Sequence, residues 1–294
     1  MLQTMIINDI LIWIENHIED GIIIEDVVNL SGYSRRYIQY LFKKETGLSL
    51  GGYLKRRRLC RGAMYVRLTT MRMLDIAVRL RFDSQQSFSR EFKKVFNCPP
   101  YIYRTRDYWD LSCLCPPWEY NMTGIPKVDF VRLPQLSYSG HMFSYNENIL
   151  GTRGEAVREK NITNDMRLYS ENFLYITYYS PSIKNSENVF IKTFSCPQEN
   201  EERKCNNQNI SIPAGEYLKT YFKGNIASLH KFIRQVYFVI LPEYKMARRR
   251  GGDIEYFDIC EYRNNDKKPY VNLQFFVPVI PLSDIMAKND GVAT

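Results

Sequence analysis

Apolar residues recur every three to four positions through the first hundred residues, and roughly every second position from about Lys127 onward. Ile6, Ile10, Trp13, Ile14 and Ile18 form one helical stripe that Asp20 and Gly21 bring to an end. The same period predicts a short helix over 25–30, a long one over 49–67 and another short one over 73–79. Ser31-Gly32-Tyr33 and Arg81-Phe82-Asp83 read as tight turns. After each turn comes a stretch that repeats the other fifty residues away: Ser34, Ile38, Phe42, Lys43 and Lys44 match Ser84, Phe88, Phe92, Lys93 and Lys94 in register. Serine at the head of an apolar stripe is an N-cap signal, so each copy should be a capped helix. A short helix, a turn and a capped second helix make a helix-turn-helix, and the chain carries two.

What the copies do not share lies on their outer stripe. Arg35, Arg36, Gln39 and Tyr40 stand in the first, and Gln85, Gln86, Ser89 and Arg90 in the second. Arg and Gln are the side chains that can bond guanine and adenine edges in two places at once, so two like scaffolds should present different contacts to double-stranded DNA. The long helix between them, about 27 Å at 1.5 Å per residue, suits two reading helices spaced about one DNA turn apart. One chain would then read an asymmetric site as a monomer.

Charge sharpens this expectation. Residues 1–33 carry a net −6, residues 34–106 a net +14, and residues 107–294 none, so the chain's whole excess of +8 falls on the repeat region. Such confinement is the electrostatic footprint of a nucleic-acid binder.

Beyond a Pro-containing connector at 107–124, the alternation predicts strands at 127–133, 136–144, 172–180, 188–195, 209–222, 254–258 and 270–279. One helix is expected at 227–240, where Leu229, Phe232, Ile233, Val236 and Tyr237 share a face, and 197–209 reads as a polar loop. Two domains follow: an all-α double helix-turn-helix over 1–111, a linker at 112–124, an α+β domain over 125–282 and a tail at 283–294. Seven cysteines at irregular spacing and three scattered histidines give neither a disulfide framework nor a metal site, which points to a reducing cytoplasm. No apolar run approaches the roughly 18 residues a membrane span needs. No G-x-S-x-G, H-E-x-x-H or phosphate-cradling loop is present, so no catalytic residue and no cofactor is expected.

Residues 5–106 resemble the AraC/XylS family DNA-binding domain. Leu11-Ile12-Trp13, Ser31-Gly32-Tyr33-Ser34, Arg57-Arg58-Leu59, Leu74-Asp75-Ile76-Ala77, the run from Arg81 to Phe88, and Phe92-Lys93-Lys94 carry the likeness. The resemblance implies a transcriptional regulator, chiefly an activator working beside RNA polymerase. It places base-reading residues at Arg36, Gln39 and Tyr40, and at Gln85, Gln86, Ser89 and Arg90; Arg35, Lys43, Lys93 and Lys94 complete the expected DNA-binding set. The first reading helix departs from the family pattern at Arg36 and Tyr40, and Ile23 stands where a capping serine is usual.

Residues 125–282 are similar to the GyrI-like effector-binding domain, through Ile212 to Gly224 and through Gly251-Gly252-Asp253-Ile254-Glu255. That likeness implies a small amphiphilic or cationic effector, with Glu255 as the ligand-facing acid and Tyr217 and Tyr221, four residues apart on one strand, as lining. It departs at 146–172, where a long helix walling the cleft should lie and where Gly151 and Gly154 interrupt the pattern. A shallow or lost pocket is the expectation there. The alternative is a GyrI-like small-molecule-binding protein or hydrolase that carries a DNA-binding module.

Overall fold

The computed structural model describes residues 2–117, 124–149, 153–169, 172–197, 208–258 and 270–290. They divide into two compact units. Residues 2–67, 71–105 and 113–117 form the first; 68–70, 106–112 and those from 124 onward form the second. The expected boundary after Leu111 is thus crossed both ways: 106–112 group with the second unit, and the connector from Cys113 groups with the first.

The first unit is helical, with α1 (Leu2–His17), α2 (Ile24–Ser31), α3 (Arg35–Thr46), α4 (Leu50–Leu68), α5 (Met73–Arg79), α6 (Gln85–Phe96) and α7 (Pro100–Thr105). The serines act as their positions suggest: Ser34 Oγ accepts from the Tyr37 N–H at 3.3 Å, and Ser84 Oγ from the Ser87 N–H at 3.1 Å. The repeat also shares its stop. Gly47 at φ 74° and Asn97 at φ 56° end α3 and α6 in the left-handed region, fifty residues apart, as the two residue types that enter it most readily. Where Ile23 lacks a capping oxygen, Asp26 accepts the Ile23 N–H at 2.8 Å. Ile10, Leu11 and Ile14 of α1 and Ile18 just past it bury against Val27, Ile38, Phe42 and Tyr53. Behind α6, Phe88, Phe92 and Phe96 form the second core, with Tyr103 of α7 edge-on to Phe92.

Charges join these helices as well. Glu15 near the end of α1 and Glu19 in the turn that follows it both meet side chains of α4. Arg57 sets Nε and Nη2 each 2.6 Å from a Glu15 oxygen, and the Tyr53 hydroxyl donates to the same carboxylate at 3.1 Å. Glu19 accepts from Arg79 Nε at 2.8 Å and the Tyr65 hydroxyl at 2.7 Å, with Arg61 Nη1 at 3.5 Å. Arg57 and Arg61 are only 6% and 3% exposed. Arg104 donates to the Val66 and Met71 carbonyls, and Arg67 to those of Tyr103 and Arg104. The +14 of this region is therefore not all an outward patch; several of its arginines hold the helices together.

In the second unit, β1 (Tyr108–Trp109), β2 (Val128–Leu133), β3 (Leu136–Asn148), β4 (Phe173–Pro181), β5 (Asn188–Pro197), β6 (Gln208–Ile212), β7 (Gly215–Asn225), β8 (Met246–Arg249), β9 (Asp253–Asp258) and β10 (Tyr270–Pro281) make one antiparallel sheet. Its order is β1-β8-β10-β9-β4-β5-β3-β6, with β7 pairing both β10 and β2. Gly140 marks where β3 changes partner from β6 to β5, and a Cβ there would sit 2.1 Å from the Ser195 carbonyl.

The expected strands appear, with two corrections. The run at 209–222 breaks into β6 and β7 around Pro213, and two short strands, β1 and β8, were not foreseen. The segment at 146–172, where Gly151 and Gly154 were expected to interrupt the long helix, contains a four-turn helix, α8 (Arg153–Leu168), in which Gly154 stands near the start. Helix α9 (Ile226–Gln235) continues through a π-helical turn at Val236–Ile240 into α10 (Leu241–Glu243). The expected tail begins as a helix, α11 (Leu282–Asp290). The polar loop read at 197–209 lies, apart from its ends, outside the described residues.

Candidate nucleic-acid interface and buried ion pair

Arg35, Arg36, Tyr40 and Lys43 are exposed on α3, and Gln85, Gln86, Arg90, Lys93 and Lys94 on α6; Gln39 and Ser89 are half-buried beside them. Each helix thus buries its shared face and offers the unshared one. Tyr40, at 62% exposed, is a large ring with no place in the core. Two acids temper this surface. Glu25 of α2 pairs with Arg35 across the turn. Glu91, midway along α6, gathers Lys55 Nζ at 2.5 Å, Lys94 Nζ at 2.9 Å and Arg90 Nε at 3.6 Å. Hydrogen bonds from Lys55 and then Lys94 pull the Glu91 carboxyl down to about 2. Glu91 therefore orients three cations toward one side of α6. The sequence held the signal, a lone acid within a basic run, but gave no reason to single it out.

Connector residues dock on the same unit. The Arg57 guanidinium reaches the Cys115 carbonyl, and the Cys115 N–H points at Cys60 Sγ, 3.1 Å away. Burial first of all pushes the Cys60 thiol up to about 11, so it serves as a packed acceptor.

In the second unit, register decides which side chains can meet. Glu255 of β9 lies opposite Tyr175 of β4 and Phe275 of β10, and Phe275 lies opposite Thr220 of β7. Side chains alternate along a strand, so Glu255 shares its face with Thr220 and not with Tyr217 or Tyr221. Tyr217 packs into the other face, among Leu174, Ile176, Phe194, Cys196, Ile212 and Ile254. Tyr221 lies on that face too, 37% exposed, and donates to Asp129 at 3.1 Å. The sequence-expected trio does not converge.

Under α8 and α9 the Glu255 face is rich in polar groups. Asp165 of α8 accepts from the Tyr175 hydroxyl at 2.6 Å and from Ser195 Oγ at 2.9 Å, with His141 Nε2 at 3.5 Å. Burial, the leading cause, raises the Asp165 carboxyl above its ordinary value. Asp253 of β9 pairs with Arg248 of β8 at 2.9 Å, and the Tyr237 hydroxyl donates to it. Between these clusters Glu255, with no exposed side-chain surface, pairs with Arg158 of α8, which is 4% exposed. Arg158 stands in the glycine-interrupted segment at 146–172, and nothing in its sequence neighbourhood points to Glu255. His230 of α9 lies within electrostatic reach of Arg158; burial above all, then Arg158 and Arg234, push it down to about 3. Among the described residues, no group of three His, Cys, Asp or Glu side chains is placed to hold a metal ion, and no helix is long and apolar enough to cross a membrane.

Comparison with known proteins fits this division. Residues 27–106 match the family model of a helix-turn-helix domain, and residues 127–278 that of a GyrI-like small molecule binding domain. The transcriptional regulator Rob of Salmonella typhimurium is 32% identical over 289 residues, which cover 95% of this chain and 99% of that protein. The right origin-binding protein of Escherichia coli K12 is 30% identical over 290 residues, again 95% and 99% of the two chains. The HTH-type transcriptional activator AarP of Providencia stuartii is 40% identical over 116 residues, 39% of this chain and 86% of that one. Two helix-turn-helix units ahead of a GyrI-like domain, matched end to end by named regulators, place this chain in the AraC-type family of DNA-binding transcriptional regulators, as a member that carries a GyrI-like effector-binding domain.

Proposed function

We propose that this chain is a cytoplasmic, sequence-specific activator that binds an asymmetric DNA site as a monomer and works with RNA polymerase, its second unit responding to a small ligand. One observation carries the reading: α3 and α6 share caps and buried faces yet expose different polar side chains, so a single chain owns two unlike reading helices. Arg36, Gln39 and Tyr40 would read one major-groove segment, and Gln85, Gln86, Ser89 and Arg90 the next. Arg35, Lys43, Lys93 and Lys94 would hold phosphates and set the salt dependence. The names of the relatives, an activator among them, support the direction of control.

The test begins with genomic fragments selected by the full-length protein. Native mass measurement on a selected site of about 20 base pairs, two groove segments, should give one chain per duplex. An obligate two-chain complex on an inverted repeat overturns the monomer reading.

A further inference from the structure

We propose that Arg158 is a tethered cation that fills the Glu255 site from within, so that this chain excludes soluble organic cations from the buried acid that α8 covers. The proposal rests on reading the second unit as an effector-binding domain, but its test needs neither DNA nor a known effector.

Glu255 is wholly buried at mid-sheet, where its register neighbours are Tyr175 and Phe275. Among the described residues neither of its oxygens finds a hydrogen bond elsewhere, and the same holds for Arg158 Nε and Nη2. The acid is thus served by one side chain only, brought from a helix that covers the sheet. Tyr145, Tyr175 and Tyr179 lie within electrostatic reach of the Arg158 guanidinium. A buried carboxylate with tyrosines close to its partner is the kind of setting that suits an organic cation. Here the cation belongs to the protein. His230, the nearby imidazole of α9, is held neutral and leaves its buried Nε2 without a partner, so it adds no charge. Asp253 is already matched by Arg248. The site is therefore electrically closed, and a soluble cation would meet a fixed like charge before it met the acid.

Removing the guanidinium should open the site. Calorimetric titration of full-length protein with benzamidinium, a flat aromatic monocation, should show no binding to the unaltered chain at millimolar concentration. Arg158→Met should bind at least tenfold more tightly, and neutral benzamide should not bind it. The double variant Arg158→Met with Glu255→Gln should lose the gain. If Arg158→Met is only marginally stable, benzamidinium should raise its melting temperature, while the double variant should be stable without it. Three results overturn the proposal. The unaltered chain binds benzamidinium in a Glu255-dependent way; folded Arg158→Met does not bind it, or its double variant binds equally; or a marginally stable Arg158→Met gains nothing from the cation while the neutral double variant is stable.

Discussion

Arg57→Met separates a structural charge from a DNA-binding one. In the charge pattern Arg57 belongs to the basic run Lys55-Arg56-Arg57-Arg58, yet its side chain is 7% exposed and grips Glu15 with two bonds of 2.6 Å. Removing one partner of a buried pair costs about 3–5 kcal/mol, because the other charge stays buried alone. Glu15 is 17% exposed and can regain some water, so about 3 kcal/mol is the appropriate end of that range. The Cys115 carbonyl also loses its donor. A loss of about 3 kcal/mol is roughly a hundredfold in an equilibrium constant, and it should appear as a hundredfold drop in hydrogen-exchange protection of the α1 and α4 amides. DNA affinity of the folded fraction should keep its salt slope. A phosphate contact would instead take about 0.9 off that slope. If Arg57→Met leaves protection intact and flattens the salt slope by about one, Arg57 faces DNA and the ion-pair reasoning is refuted.

Other perturbations probe other parts of the chain. Arg90→Ala should weaken cognate DNA and relax preference at one base pair by ~1–3 kcal/mol, whereas replacing Lys93 and Lys94 should weaken all sequences alike; competition binding against random duplex separates the two. Ser84→Ala should lower stability by about 1 kcal/mol in urea titration, through loss of the α6 cap. His230 has its folded pKa pushed down to about 3, so the unfolded chain takes up this proton first as pH falls below the ordinary 6.5. That part of the stability is full above 6.5 and drains away toward 3, and His230→Phe should shrink the fall in urea midpoint between pH 7 and pH 4.5.

The repeat was readable because its signals are local. Ser34 and Ser84 cap helices that follow at once, and apolar residues four apart bury one face whatever surrounds them. Charge was readable only in sum, since nothing near Arg57 or Arg61 in sequence points to Glu15 and Glu19, some forty residues upstream. The α8 segment misled for a related reason. Its Gly154 looks like a breaker, but it sits beside Glu147, whose carboxylate accepts the Gly154 N–H near the helix start. The family resemblance alone groups Tyr217, Tyr221 and Glu255, while their true faces depend on register carried from β7 through β10 to β9. Pairing across three strands leaves no mark in any one of them.

The fifty-residue offset between Gly47 and Asn97 and between Ser34 and Ser84 has a consequence for how such a regulator can change. In a symmetric dimer, one substitution in a reading helix alters both halves of the target at once, and every promoter must follow twice. Here the two helices are spelled by separate codons on one scaffold. On the proposed monomer reading, Arg36 or Tyr40 could be exchanged while Gln86 and Arg90 continued to anchor the chain. A new target would then be reached through sites that share half of the old one, and each intermediate would still have somewhere to bind.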